Sequence, residues 1–524
     1  MWKRAQIQEM LYAIRLSDGK AVLFYNTILS MTGGDVMALG RFFAAHVRSL
    51  TLPLLVCGVI AGCVPNVAHR AQSPSQQCPT TGCQAAVLEQ HPTYDLGFVE
   101  FTDQGNVFSR ENLDTVLQHI DQHSHATDGA AVVVFIHGWH HNAAPADENL
   151  KGFRQLLERT AQLGITGKRR LIGVYVGWRG QTLDLPLAEH LSFWARKNTA
   201  HNVGRGGVTE LMLRMERSMA QANTPQHPNH NLLVALGHSF GGLVLISSLN
   251  DVLLERVIDA KPLGHQACAD ENAQQCGTCV QTDTFGHGII LLNPAIEANE
   301  LLQLKEVVAD QQCYAKTQPK LLHVISSEAD SATNIAFRAG QYLGVSARSS
   351  ELPLQRTYKG KTLTLHERDL DTTTIGNYLP FRTGVSLGNR TRHPACKTDD
   401  KRAECYIPCK DDARCLIHQA DKAQHIPIGA AEPLHFLYTD ANFIKDHNDV
   451  FNADVGGYIV ATVMESSFKR LNNPRYASEI TAQCRKADGD FDFPRCFDYY
   501  KAQFEQSPAL RAATPKPHTE STPQ

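Results

Sequence analysis

The sequence predicts an α/β fold, a mostly parallel central sheet flanked by helices, and three observations predict it. First, Ala130–Ile136 (Ala-Ala-Val-Val-Val-Phe-Ile) and residues 232–236 are continuous apolar runs of strand length, the pattern of parallel strands buried on both faces. Second, stretches with helical spacing, 149–163 and 243–254, follow these runs, so strand and helix alternate along the chain. Third, each run ends in a glycine-bearing turn, His137-Gly138-Trp139 after the first and Gly237-His238-Ser239-Phe240-Gly241-Gly242 after the second.

The chain has 524 residues, 43% hydrophobic and 20% charged, which is enough for a large core in one long α/β unit or in several domains. A formal net charge of -3, without a long run of either sign, gives no footing for nucleic acid.

Near the amino end, residues 49–61 form an apolar run preceded by Arg41, His46 and Arg48 and followed by Gly62-Cys63. Basic flank, short apolar stretch and small residues are the parts of a secretory signal. The run is too short to span a bilayer, which takes about 20 apolar residues. Counted from Met1 the signal would be about twice the usual length, whereas Met37 gives a normal one. Residues 1–36 are therefore read as an early-start extension, 37–62 as the signal peptide and 63–93, rich in Ser, Gln, Pro and Thr, as a tether. Ile60-Ala61-Gly62-Cys63 resembles the lipobox of bacterial lipoproteins. That resemblance implies lipidation at Cys63, export and a membrane anchor, with Val64 favouring the outer membrane; an uncleaved anchor or a buried helix stays open.

The chain carries 14 cysteines, and setting aside Cys57 and Cys63 leaves 14 - 2 = 12, an even number that suits disulfides in an exported protein. Cys78 and Cys83, and Cys484 and Cys496, are close enough for local bridges. Cys268, Cys276, Cys279 and Cys313 form one group, and Cys396, Cys405, Cys409 and Cys415 another. A zinc reading of Cys276-x-x-Cys279 lacks a second pair at finger spacing.

Within the main domain, read as 94–505, residues 94–101 form an early strand, and Ser109 can cap a helix through 123. His137-Gly138-Trp139 either closes its strand by packing or turns a backbone amide toward a reacting oxygen, which a glycine permits. His140, His141 and Asn142 read as solvated loop. Trp178 and Arg179, after a strand at 170–176, lie on the carboxyl edge, where they touch substrate or simply pack and pair. Helices at 189–201 and 207–221 lead to the second turn.

In that turn a serine sits between strand and helix, with Gly237 and Gly241 where a larger side chain would collide. Here the chain resembles the α/β-hydrolase superfamily, the serine esterases and lipases in particular. The resemblance implies an α/β-hydrolase fold with Ser239 as nucleophile. The Trp139 and Phe240 amides would form the oxyanion hole, with Gly138 allowing the turn. The family's order then calls for an acid and a histidine further on. The run at 320–326 ends in Ser327-Glu328-Ala329-Asp330-Ser331, which offers Asp330 as the acid. Glu328 and Glu297 are rivals, and Asp330 as a helix cap is the structural alternative. Among 24 histidines, His447 lies on a loop at 445–452, between a strand at 434–439 and a helix at 456–471, whereas His435 falls inside the strand. The long connection 345–431, with four cysteines, is expected to form a disulfide-stapled cap or lid, and 506–524 a disordered tail.

These parts imply hydrolysis of a small-molecule or lipid ester through an acyl-enzyme, with no metal or organic cofactor. A thioesterase or amidase on the same site, and a non-catalytic surface lipoprotein that keeps the fold for binding, are the alternatives.

Overall fold

The computed structural model of the chain describes residues 64–70, 76–77, 85–181, 189–225, 227–269, 278–310, 313–345, 349–350, 352–358, 361–385, 390–392, 406–408, 426, 431–471, 480–487 and 489–507. The expected signal peptide, Cys63, the four cysteines of the 345–431 stretch and the tail beyond 507 lie outside them.

The strands of the central sheet are β1 (Gln76–Gln77), β2 (Leu88–Gln90), β3 (Asp95–Phe101), β4 (Ala130–Ile136), β5 (Arg170–Trp178), β6 (Leu232–His238), β7 (Ile289–Leu292), β8 (Leu322–Ser327), β9 (Gly384–Val385) and β10 (Leu434–Thr439). They form one ten-stranded sheet in the order β1-β2-β3-β5-β4-β6-β7-β8-β10-β9. Every pairing is parallel except β2 with β3.

Both faces are covered, which explains the unbroken apolar runs. In β4, Val132, Val134 and Ile136 enter one core while Ala131 and Phe135 enter the other. In β6, Leu233 and Ala235 face the first, and Val234 and Leu236 the second. The first core is closed by α1 (Arg110–Ser124), α4 (Thr209–Ala222), α5 (Phe240–Ile258) and α6 (Leu302–Asp310). The second is closed by α2 (Glu148–Gln162), α8 (Ala453–Arg470) and α9 (Phe493–Gln506). Two further helices are α3 (Glu189–Val203) and α7 (Phe337–Val345). Caps match the helix starts: Ser109 Oγ accepts the Asn112 amide at 3.1 Å, and Asp147 Oδ1 the Asn149 amide at 2.9 Å.

Two sequence expectations change. The stretch read as a tether is partly built into the body, because β2 pairs with β3 and Arg70 is buried. Arg70 donates to Glu89 Oε1 at 2.8 Å and lies 3.8 Å from the Phe98 ring centroid, so its charge and its stem are both accommodated. The stretch read as a cap also contributes to the body: Leu370, Ile375, Tyr378 and Phe381 join the first core, and β9 extends the sheet beside β10. Of the expected bridges, Cys484–Cys496 forms, and Cys268 pairs with Cys279 within its group of four. The Cys78–Cys83 pair lies outside the described residues. Among the described residues no helix is long and apolar enough to cross a membrane.

Candidate active site

The connection after β4 leads to α2 on one face and the connection after β6 leads to α5 on the other, while β4 and β6 are neighbours. Loops that diverge from adjacent strand ends leave a crevice at the carboxyl edge, where open α/β sheets bind ligands. Ser239 and the His137-Gly138-Trp139 turn meet at that edge.

Ser239 has φ 54° and ψ -124°, a left-handed backbone for a residue with a side chain. Such strain costs on the order of 1–3 kcal/mol and persists only where neighbours hold it. They do: the Ser239 amide donates to the Leu292 carbonyl at 3.1 Å, and its own carbonyl accepts the Gly242 and Ala295 amides at 3.0 and 3.2 Å. The flanking glycines are required by contact. A Cβ on Gly241 would lie 2.0 Å from the Ile136 carbonyl oxygen, and one on Gly237 2.7 Å from Gly242 Cα.

From that turn the Ser239 hydroxyl reaches His447 Nε2 at 2.9 Å, and His447 Nδ1 reaches Asp330 Oδ2 at 2.9 Å. The three residues come from the ends of three strands, β6, β8 and β10. Asp330 is fully buried, whereas the His447 side chain keeps 22% of its surface exposed. Burial raises the Asp330 pKa, but the hydrogen bond and charge of His447, with the bonds from Thr333, outweigh it and hold the carboxyl below its usual range. Asp330 is a cap as well. Its Oδ1 accepts the Ala332 and Thr333 amides at 2.9 and 3.2 Å, while Oδ2 accepts the Thr333 hydroxyl at 2.6 Å together with His447. Of the rival acids, Glu328 is exposed, and Glu297 is buried against Lys197 and Gln341 of α7. His435 is half-buried in β10 and meets the Tyr458 hydroxyl at 3.3 Å.

His137 is buried and held neutral, its pKa pushed down to about 4 chiefly by burial. Its Nε2 accepts the Trp178 amide at 3.2 Å, so Nδ1 carries the hydrogen and donates to the Gly138 carbonyl at 3.0 Å. Because carbonyl and amide hydrogen point opposite ways across a trans peptide, fixing the Gly138 carbonyl also fixes the Trp139 N–H on the other side. Gly138 lies against Ser239: a Cβ there would be 2.8 Å from Ser239 Cβ. Among the described residues neither the Trp139 nor the Phe240 amide donates to the protein. Phe240 opens α5, whose first-turn N–H groups have no partner within the helix.

Trp178 packs and Arg179 pairs within the protein. Trp178 is buried, stacks on the His137 ring at 5.6 Å and donates Nε1 to the His137 carbonyl at 3.1 Å, while Arg179 joins Arg196 on Asp103. The loop after Trp139 is less solvated than its sequence indicates, since His141 Nδ1 lies 3.1 Å from Asp147 Oδ2 and is partly buried.

Sequence reasoning missed the clamp on the His447 loop. The His447 carbonyl accepts His238 Nε2–H at 2.9 Å and Asn293 Nδ2–H at 3.2 Å. His238 Nδ1 faces the Asn149 side-chain amide at 3.4 Å, and Asn293 Oδ1 accepts the Ser327 amide at 3.0 Å. Asn452 closes the loop from the other end, donating Nδ2 to the Phe443 and Asp449 carbonyls at 2.9 Å each and accepting the Val455 amide that opens α8. The signals are faint: a histidine beside Ser239, and an asparagine just after β7, a residue type that tolerates the φ of 43° it takes there.

No protein-family model matches the chain, and no curated protein and no solved structure matches it.

Proposed function

We propose that the chain is a serine hydrolase of α/β-hydrolase type that cleaves carboxylic esters through an acyl-enzyme. The observation that carries the reading is the relay of Ser239, His447 and Asp330, two 2.9 Å contacts between groups more than a hundred residues apart, with the serine on a strained turn just after β6. In this reading His447 Nε2 takes the Ser239 proton as Oγ bonds to the ester carbonyl carbon. The oxyanion is met by the Trp139 and Phe240 amides, and the Asp330 carboxylate supports the imidazolium. The alcohol leaves with the proton from His447. Water, deprotonated in turn by His447, then releases the acid and restores the serine. No step needs a metal or organic cofactor.

An apolar acyl group suits the surroundings. Phe193 of α3 lies 5.2 Å from the Phe240 ring, and 5.9 Å from both Trp139 and Phe337. These rings flank the nucleophile and favour burial of hydrocarbon. Export and a lipid anchor at Cys63 remain part of the proposal on the strength of the signal-like segment, and they would bring the enzyme close to lipid esters.

A panel of p-nitrophenyl esters from acetyl to lauroyl, with matched thioesters and anilides, tests the reaction class. Esters are expected to be cleaved with an initial burst and the highest kcat/KM. A higher kcat/KM on thioesters or anilides would replace the ester reading with the thioesterase or amidase one.

A further inference from the structure

At the opposite edge of the sheet, Asp95 begins β3. Since β3 runs parallel to β5, β4 and β6, Asp95 is a full strand length from the edge that carries Ser239. Across from it α1 presents His119 and His123, four residues apart and so on one face of the helix. Their ring centroids are 4.6 Å apart, and His119 Nε2 lies 2.9 Å from Asp95 Oδ2. One ligand atom from each of the three residues falls within 4.8 Å of the others. The carboxylate is buried, while both histidines are partly exposed, so the cluster is preformed and still open to solvent.

We infer that Asp95, His119 and His123 bind one divalent first-row transition-metal ion, zinc foremost, with solvent completing its shell. Two imidazole nitrogens and one carboxylate oxygen are the donor set such ions take, whereas calcium and magnesium ask for oxygen alone. The hydrogen now between His119 Nε2 and Asp95 Oδ2 gives way to the ion. Little must move, because two ligands share a helix face and the third is fixed by its other partner. That partner is Arg170, which donates Nη2 to Asp95 Oδ1 at 2.5 Å and Nε to Oδ2 at 2.8 Å. It orients the carboxylate as an outer-shell group does, and its positive charge moderates the affinity.

The ion would tie α1 to β3, with no part in the chemistry at Ser239. Its presence is therefore read in stability and spectroscopy, independently of whether the chain hydrolyses esters.

Chelator-treated protein titrated with zinc by calorimetry, and with cobalt by visible absorption, tests the site. Wild type is expected to bind a single ion that raises its melting temperature. His123→Gln should bind at least about tenfold more weakly, and the His119→Gln/His123→Gln pair should show neither the cobalt band nor the melting shift. Any hydrolytic rate should be unchanged in all three proteins. Failure of folded wild type to bind, or equal binding by the double variant, which would place the ion on others of the 24 histidines, overturns the assignment.

Discussion

Ser239→Ala and His447→Ala are each expected to lower kcat for ester hydrolysis by about a millionfold, and Asp330→Asn by about ten-thousandfold, with the fold unchanged by circular dichroism. The grading follows from the contacts. Without the hydroxyl or the imidazole no acyl-enzyme forms, and only binding and the oxyanion amides remain. Asparagine at 330 keeps an acceptor for the Ala332 and Thr333 amides. It removes the charge that fixes the His447 tautomer and supports the imidazolium, so nucleophile and base survive in a poor state. His238→Leu belongs to the same series one step out. It removes one of the two side-chain donors on the His447 carbonyl and should lower kcat about 10- to 100-fold with little change in KM. His238→Gln can still donate and should recover much of the loss. Equal, small effects at 239, 447 and 330 would mean that the three do not act as a unit.

The protein should also lose stability steeply between pH 6.5 and pH 4, through histidines buried in the neutral form. Burial drives the pKa of His137 down to about 4 and that of His323 to about 3, and it holds His238 and His287 well below the usual value. In the unfolded chain these side chains titrate near 6.5. Between the two values the unfolded state binds more protons, so their contribution is complete above about pH 6.5 and is lost as pH falls toward the folded pKa. For His137 alone the full loss is on the order of 3 kcal/mol. Burial is the chief cause, and a charged ring could also no longer accept the Trp178 amide at Nε2. Denaturant midpoints measured from pH 7.5 to 4.5 should fall continuously below 6.5, and His323→Phe should flatten the slope by about one proton. A midpoint that stays level to pH 4.5 would contradict the buried neutral assignment.

The parts of this site legible in the sequence are those whose physics is local. A parallel strand covered on both faces leaves an unbroken apolar run, so β4 and β6 announce themselves. The crowding behind Ser239 admits only glycine at 237 and 241, so the turn is visible too. His447 and Asp330 were reachable because each follows a recognisable strand. What was not legible depends on distant partners. The bond from His238 to the His447 carbonyl spans 209 residues, and nothing near His238 distinguishes a donor to a remote loop from a packing residue. The two residues of β9 become a strand because β10 offers a free edge, and their own apolar pattern is too short to show it. Arg70 and Glu89 looked like the polar residues of a tether because their mutual neutralisation appears only after folding.

The central claim is that the Ser239 hydroxyl is an activated nucleophile. A fluorophosphonate probe followed by peptide mass spectrometry measures this directly. Wild type should be labelled on Ser239 and nowhere else, and Ser239→Ala should take no label. A folded wild type that resists the probe, or label carried on another residue and retained in Ser239→Ala, would contradict the account and favour a protein that uses this fold to bind.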